Sequence, residues 1–332
     1  SPHPPPCPSP PSPPSSTPSP PSPPPPRPPY VFSNKTELQS AVGSWVDDRV
    51  AAEASYGHVS AWNVSKITDL SFLFSGERFS AVTYFNDDIN AWDVSQVTSL
   101  RYTFMGNTGF NQPLASWDVS KVTTLQALFQ HDSGYGYGTS ARFNQPLDSW
   151  DTSNVQNMAT TFFGAGGFNQ PLDWDTSRVT TMSTMLNAAW KFDSPLIGWD
   201  TSHVTAMNHM FTSSTRFNQP IGDWDTSSVT RMDCIFHSGA GDMQFNQPLH
   251  WNFSSISYLT GCGEFSSKTA ALSDCNKRII HDAMTGTNAA MQEKYSGWGD
   301  VCGPPPKPPS PPPSPPSPPP RPPPSPPPSP PP

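Results

Sequence analysis

Tryptophans that open a Trp-Asp or Trp-Asn pair recur along most of the chain, at Trp62, Trp92, Trp117, Trp150, Trp174, Trp199, Trp224 and Trp251. Their spacings are 30, 25, 33, 24, 25, 25 and 27 residues. A period near 25 with insertions lies in the ~20–29-residue range of leucine-rich repeats and below the ~40–50 of propeller blades. Within a unit the apolar positions change their rhythm. Leu114, Trp117 and Val119 have the L-x-x-L-x-L spacing, which puts Trp117 and Val119 on one face of a short strand and Asp118 on the other. Ser120 then serves as a helix N-cap, and Val122, Leu125, Leu128 and Phe129 fall at helical spacing. The Phe-Asn-Gln-Pro-Leu block at 143–147 closes the unit, with proline ending any regular element and asparagine suited to a turn. Its phenylalanine has counterparts in Phe110, Phe168, Phe192, Phe217 and Phe245, predicting an internal aromatic spine.

The pattern predicts an α/β repeat solenoid, leucine-rich-repeat-like, of about eight coils with short parallel strands at the Trp-Asp sites and short helices. No coil buries its own apolar face, so both ends need covers. Asn34 and Glu37 have capping-box spacing ahead of Leu38, Val42, Trp45 and Val46, an amphipathic helix over the first coil. Ile279, Ile280 and Met284 mark a second helix, within 272–284, after the last coil.

Composition adds the flanks. Of 46 prolines, 18 lie in residues 1–29 and 22 in 304–332. Such Ser-Pro tracts bury no apolar surface and favour polyproline II. The expected organisation is a proline arm at 1–29, an N-terminal helical cap at 30–57, the repeats at 58–265, a disulfide-tied cap at 266–303 and a second arm at 304–332. Each arm reaches ~90 Å at ~3.1 Å per residue, whereas eight coils at ~4.8 Å stack to only ~40 Å.

Charge divides at the same boundaries: the arms carry Arg27, Lys307 and Arg321 and no acid, and the centre holds the remaining 15 basic against 26 acidic residues. An acidic surface is the wrong footprint for nucleic acid or anionic membrane. No apolar run is long enough to insert directly in a bilayer. Beginning at Ser1 without a leader, the sequence reads as a processed or excerpted chain. Export is expected from the arms, from the sequons at Asn34, Asn63 and Asn252, and from the cysteines. Cys234, Cys262, Cys275 and Cys302 lack the close pairing of a zinc site. The coil register predicts Cys234 with Cys262 and Cys275 with Cys302, and leaves Cys7 for another chain.

Three readings compete for the aspartate file Asp93, Asp118, Asp151, Asp175, Asp200 and Asp225: bonds to the following backbone and serine, a carbohydrate or peptide surface, or calcium. The eight histidines show no metal spacing. Carboxylates repeated in every unit also lack the asymmetry of a catalytic pair. The Gly-Tyr stretch at 134–138 lacks the Lys-Ser/Thr of a phosphate loop and is a surface insertion, with its two tyrosines as a candidate binding or cross-linking spot. Neither catalytic residues nor a cofactor are expected.

The run Trp-Asp-Val-Ser-x-Val-Thr with Phe-Asn-Gln-Pro-Leu, over 62–265, resembles the BspA-type surface-protein repeat family, found in bacteria and in algae and other protists. The resemblance implies an extracellular, adhesive or uncharacterised protein without shared catalytic residues. Two units depart from the family pattern, at 85–89 and 192–196. The arms resemble the hydroxylated, glycosylated rods of extensins and pherophorins. The expected function is a secreted structural glycoprotein of a cell wall, matrix or surface appendage, with other wall glycoproteins or polysaccharide as partners. An adhesive or receptor-like module that reads a glycan or peptide on the sheet face is the alternative, and a hydrolase is the third.

Overall fold

The computed structural model describes residues 28–77, 80–131, 141–238, 241–257, 271–285 and 287–299. The proline tracts at 1–27 and 304–332, Cys7, Cys262, Cys302 and the Gly-Tyr stretch lie outside the described residues.

Two helices cover the first coil. Helix α1, Lys35–Asp47, begins where the Asn34 side chain accepts from the Glu37 N–H at 3.0 Å. Glu37 reaches back to the Ser33 N–H at 2.8 Å, closing a capping box one residue wider than the usual form. Leu38, Ala41, Val42 and Trp45 form its buried face. Asp48 ends α1 and caps α2, Arg49–Tyr56, through its carboxylate and the Ala51 N–H.

From Trp62 onward the chain winds through coils laid parallel on one another. Six of the seven parallel bridges among the described residues form one column, Asp69, Ser99, Thr124, Asn157, Thr181, Ala206 and Arg231. Each lies seven residues beyond its tryptophan, as Thr124 lies beyond Trp117. Apart from the seventh bridge, which pairs Asn63 with Val31 before the first coil, the expected strands at the Trp-Asp and Trp-Asn sites are absent among the described coils. There the chain turns instead, the Trp117 N–H closing on the Leu114 carbonyl at 3.1 Å and that of Val122 on Val119 at 2.8 Å.

The expected helix is absent from these coils too. The Leu125, Ala127, Phe129 and His131 N–H groups donate to the next coil, at the Asn157, Ala159, Thr161 and Phe163 carbonyls. Those of Leu128 and Gln130 close turns on Leu125 and Ala127 within their own coil. Alternate donors thus serve alternate partners, and neither an α-helical ladder nor an extended strand forms. Repeated three-residue turns bring apolar residues inward at the same spacing as a helix, so Leu125, Leu128 and Phe129 are buried as that spacing demands. The turns need left-handed backbone at one equivalent position in each coil, Phe72, Tyr102, Ala127, Thr160, Thr184, His209 and Cys234, with φ between 57 and 61°, and four coils repeat it four residues later, at Gly106, Gly164, Ala188 and Ser213. A non-glycine residue there costs about 1–2 kcal/mol, offset by the neighbouring coil's hydrogen bonds. At a second left-handed position, Gly164 (φ 70°), a Cβ would sit 2.2 Å from the His131 carbonyl oxygen.

The core is aromatic. Phe85, Phe110, Phe143, Phe168, Phe192, Phe217 and Phe245 stack with centroids 6.0–6.3 Å apart. Tryptophans form a second column, and their indole Nε1 groups donate to the preceding coil, as Trp117 does to Ile89 at 3.1 Å and Trp150 to Leu114 at 3.0 Å. After the last coil come α3, Asp274–Met284, with Ile280 and Met284 buried, and α4, Ala289–Lys294.

Candidate functional site

The aspartate file lies along an exposed edge. Trp117 and Val119 are buried on either side of exposed Asp118, so the coil throws each carboxylate outward. Each then bends back. Asp118 Oδ1 accepts from the Ser120 N–H at 3.1 Å and hydroxyl at 2.6 Å, and Asp93, Asp175 and Asp200 do the same with Ser95, Ser177 and Ser202. Asp151 and Asp225 accept from the Ser153 and Ser227 N–H groups at 3.1 and 2.9 Å. These hydroxyl and N–H bonds hold Asp118, Asp175, Asp200 and Asp225 below the ordinary carboxylate range. The charge of Asp200 pushes against both its neighbours, Asp175 and Asp225. These four carboxylates are therefore ionised, and every residue of the file engages one oxygen in its own turn.

Inside that edge, where valine gives way to threonine, Thr152, Thr176, Thr201 and Thr226 are buried and donate to the next coil's carbonyl at Asp175, Asp200, Asp225 and Asn252, at 2.8–2.9 Å. On the far side the Phe-Asn-Gln-Pro-Leu asparagines do more than turn the chain. Asn111 donates its N–H to Asn86 Oδ1, and Asn144, Asn169, Asp193, Asn218, Asn246 and Ser273 repeat this to the residue before, at 2.7–2.9 Å. The ladder runs unbroken into the C-terminal cap, where Ser273 is also the N-cap of α3. Asp193, in a departing unit, keeps its rung. Reading the asparagine as a turn former missed this, although its recurrence at one position per coil was the signal.

Asn34 and Asn252 are exposed and Asn63 half-buried, and each sequon amide is a local acceptor, from Glu37, Ser254 and Ser65 respectively. Cys234 and Cys275 are disulfide-bonded. Their expected partners Cys262 and Cys302 lie outside the described residues. His209, Asp233 and Cys234 bring a ring nitrogen, a carboxylate oxygen and a sulfur within 4.8 Å of one another, but the disulfide leaves that trio two metal ligands. Asp233 is buried, 3.8 Å from both His209 Nε2 and Arg231 Nε. His131, 2% exposed, has neither ring nitrogen hydrogen-bonded among the described residues, and burial pushes its pKa down to about 4.

A cavity of about 250 Å³ opens beside the file, between the coils of Trp174 and Trp199. Asp173 and Asp175 stand on one side and Pro195 and Ile197 on the other.

The sequence matches the family described as "Mycoplasma protein of unknown function, DUF285" four times in overlapping stretches, at 30–140, 77–173, 131–197 and 172–275. The chain belongs to this family. The DUF285 matches begin at the N-terminal cap and run through the coils to the start of α3, and their overlap reflects the equivalence of successive coils. The description assigns DUF285 no function and so lends none to the aspartate file or the cavity. Neither a curated protein nor a solved structure matches the chain.

Proposed function

We propose that the protein is an extracellular structural component of a cell wall, matrix or surface appendage, non-catalytic, in which a leucine-rich-repeat-like solenoid of the BspA type is a packing unit between proline-rich spacers. The observation that carries this reading is the use of the repeated polar groups. Asparagine, threonine, tryptophan and aspartate at fixed positions bond to the adjacent coil or to their own turn. Repetition of this kind builds architecture, whereas catalysis needs groups in unlike environments. The arms, which on the sequence reading span more length than the coils, fit a spacer. The disulfide-bonded state of Cys234 and Cys275 fits an oxidising compartment. Immunogold labelling of native cells tests the reading: label in the wall or extracellular matrix is expected, and label confined to the cytosol overturns it.

The cavity beside the aspartate file favours a second reading, in which the same unit is an adhesive module that recognises an extended ligand.

A further inference from the structure

Five coils join their leading leucine or isoleucine to the tryptophan through two residues, each closed by a turn: Trp92 to Ile89, Trp117 to Leu114, Trp150 to Leu147, Trp199 to Leu196 and Trp224 to Ile221, at 3.1–3.4 Å. The coils of Trp174 and Trp251 have a single residue there, Asp173 and His250, and of these two only that of Trp174 is followed by a further described coil. The coil after that of Trp174 carries two residues at the same place, Ile197 and Gly198, a step of one residue. The cavity lies at that step. Ile197 is 74% exposed, where the other four of these coils carry Asn90, Ala115, Asp148 and Gly222. The notch therefore combines an exposed branched side chain and the exposed Pro195 with two exposed carboxylates, Asp173 and Asp175, over the edges of Trp174 and Trp199.

A ligand for such a notch is apolar, compact and cationic. The chain contains three segments of that chemistry in one pattern. Every basic residue of the arms is preceded by three prolines and followed by two: Arg27 within 24–29, Lys307 within 304–309 and Arg321 within 318–323. In polyproline II, with three residues per turn, the cation and the proline three before it lie on one edge, ~9 Å apart. A shallow groove meeting that edge takes the proline on its apolar side, as grooves for proline-rich ligands do, and the cation on its acidic side. The net charges are complementary, because the arms are wholly basic and the remainder acidic.

We propose that this notch docks the Pro-Pro-Pro-(Arg/Lys)-Pro-Pro segments of a second copy's arms. Docking in trans follows from reach for the first arm. Arg27 is three residues before Tyr30, a span of at most ~11 Å, and the Tyr30 carbonyl is fixed to Asn63 in the first coil. The notch begins four coils further on, ~19 Å away at strand-like spacing. The inference rests on the packing reading above and names its partner.

The test is fluorescence anisotropy of a labelled peptide of residues 18–29, titrated with the full-length protein. Saturable binding is expected, at least tenfold weaker for Asp173→Asn with Asp175→Asn, for Ile197→Asn, and for a peptide carrying Arg27→Gln, which leaves the protein untouched. Glu53→Gln, which removes one carboxylate on α2, should leave it unaltered. No saturable binding, indifference to Ile197→Asn or to Arg27→Gln, or an equal loss with Glu53→Gln overturns the notch assignment. Immunolocalisation outside the wall would sink the packing reading without touching this result, so the two failures are distinguishable.

Discussion

Trp199 donates from its indole Nε1 to the carbonyl of Leu172, 2.8 Å away in the preceding coil, and stacks at 6.1 Å on Trp224 of the following one. One side chain thus ties three coils, which is why tryptophan marks the period. Trp199→Ala should cost about 3–5 kcal/mol, the range of large core truncations. Trp199→Phe, which keeps much of the stacking and strands the carbonyl, should cost roughly 1–3 kcal/mol. Asp200→Asn, exposed beside it, should stay within ~0.5 kcal/mol. Denaturant melts check the ranking, and a larger loss for Asp200→Asn would reverse the inward and outward faces.

The asparagine ladder makes a chemical prediction. Asn218 accepts from the N–H of Asn246 and donates its own to Asp193. Asn218→Ala strands a backbone donor and should cost roughly 1–2 kcal/mol, while Asn218→Asp should be tolerated, because Asp193 already fills an equivalent rung. Equal losses in the two variants would show that the amide rather than the acceptor oxygen matters.

The left-handed positions predict gains. Thr184 holds φ 61°, strained for a β-branched residue and free for glycine. Thr184→Gly should raise stability by about 0.5–1 kcal/mol, after the entropy glycine adds to the unfolded chain. A loss would mean that the threonine side chain outweighs its backbone strain.

His131 makes stability depend on pH. Its imidazole titrates near 4 in the folded protein against 6.5 when free, so the unfolded chain holds the proton more tightly. The contribution is complete above pH ~6.5 and is lost as pH falls toward 4, to a total of roughly 3 kcal/mol. His131→Phe should flatten the difference between melts at pH 7.5 and 4.5, and an unchanged slope would assign it to other groups.

The period, the inward and outward faces of Trp117, Val119 and Asp118, and the cap helices α1 and α3 could be read from the sequence, because each rests on side-chain spacing or a local capping bond, whereas α2 and α4 were not predicted. The path of the chain between could not be read. Leu125, Leu128 and Phe129 sit at a spacing shared by a helix and by successive tight turns, and what separates the two is where the Ala127 and Phe129 N–H groups go, which is into the next coil. The bridge column through Thr124 is hidden for the same reason, since its partners Ser99 and Asn157 are 25 and 33 residues away. The notch was invisible until the missing residue at Asp173 was set beside the exposure of Ile197 in the neighbouring coil.

Mass spectrometry of the protein isolated from its native source tests the proposal that the folded coils are carried on modified proline spacers outside the cell. Hydroxylated, O-glycosylated prolines are expected across 304–332, with Cys234 joined to Cys262 and Cys275 to Cys302 in non-reducing peptide maps. Unmodified proline arms together with free thiols at all four positions would contradict it.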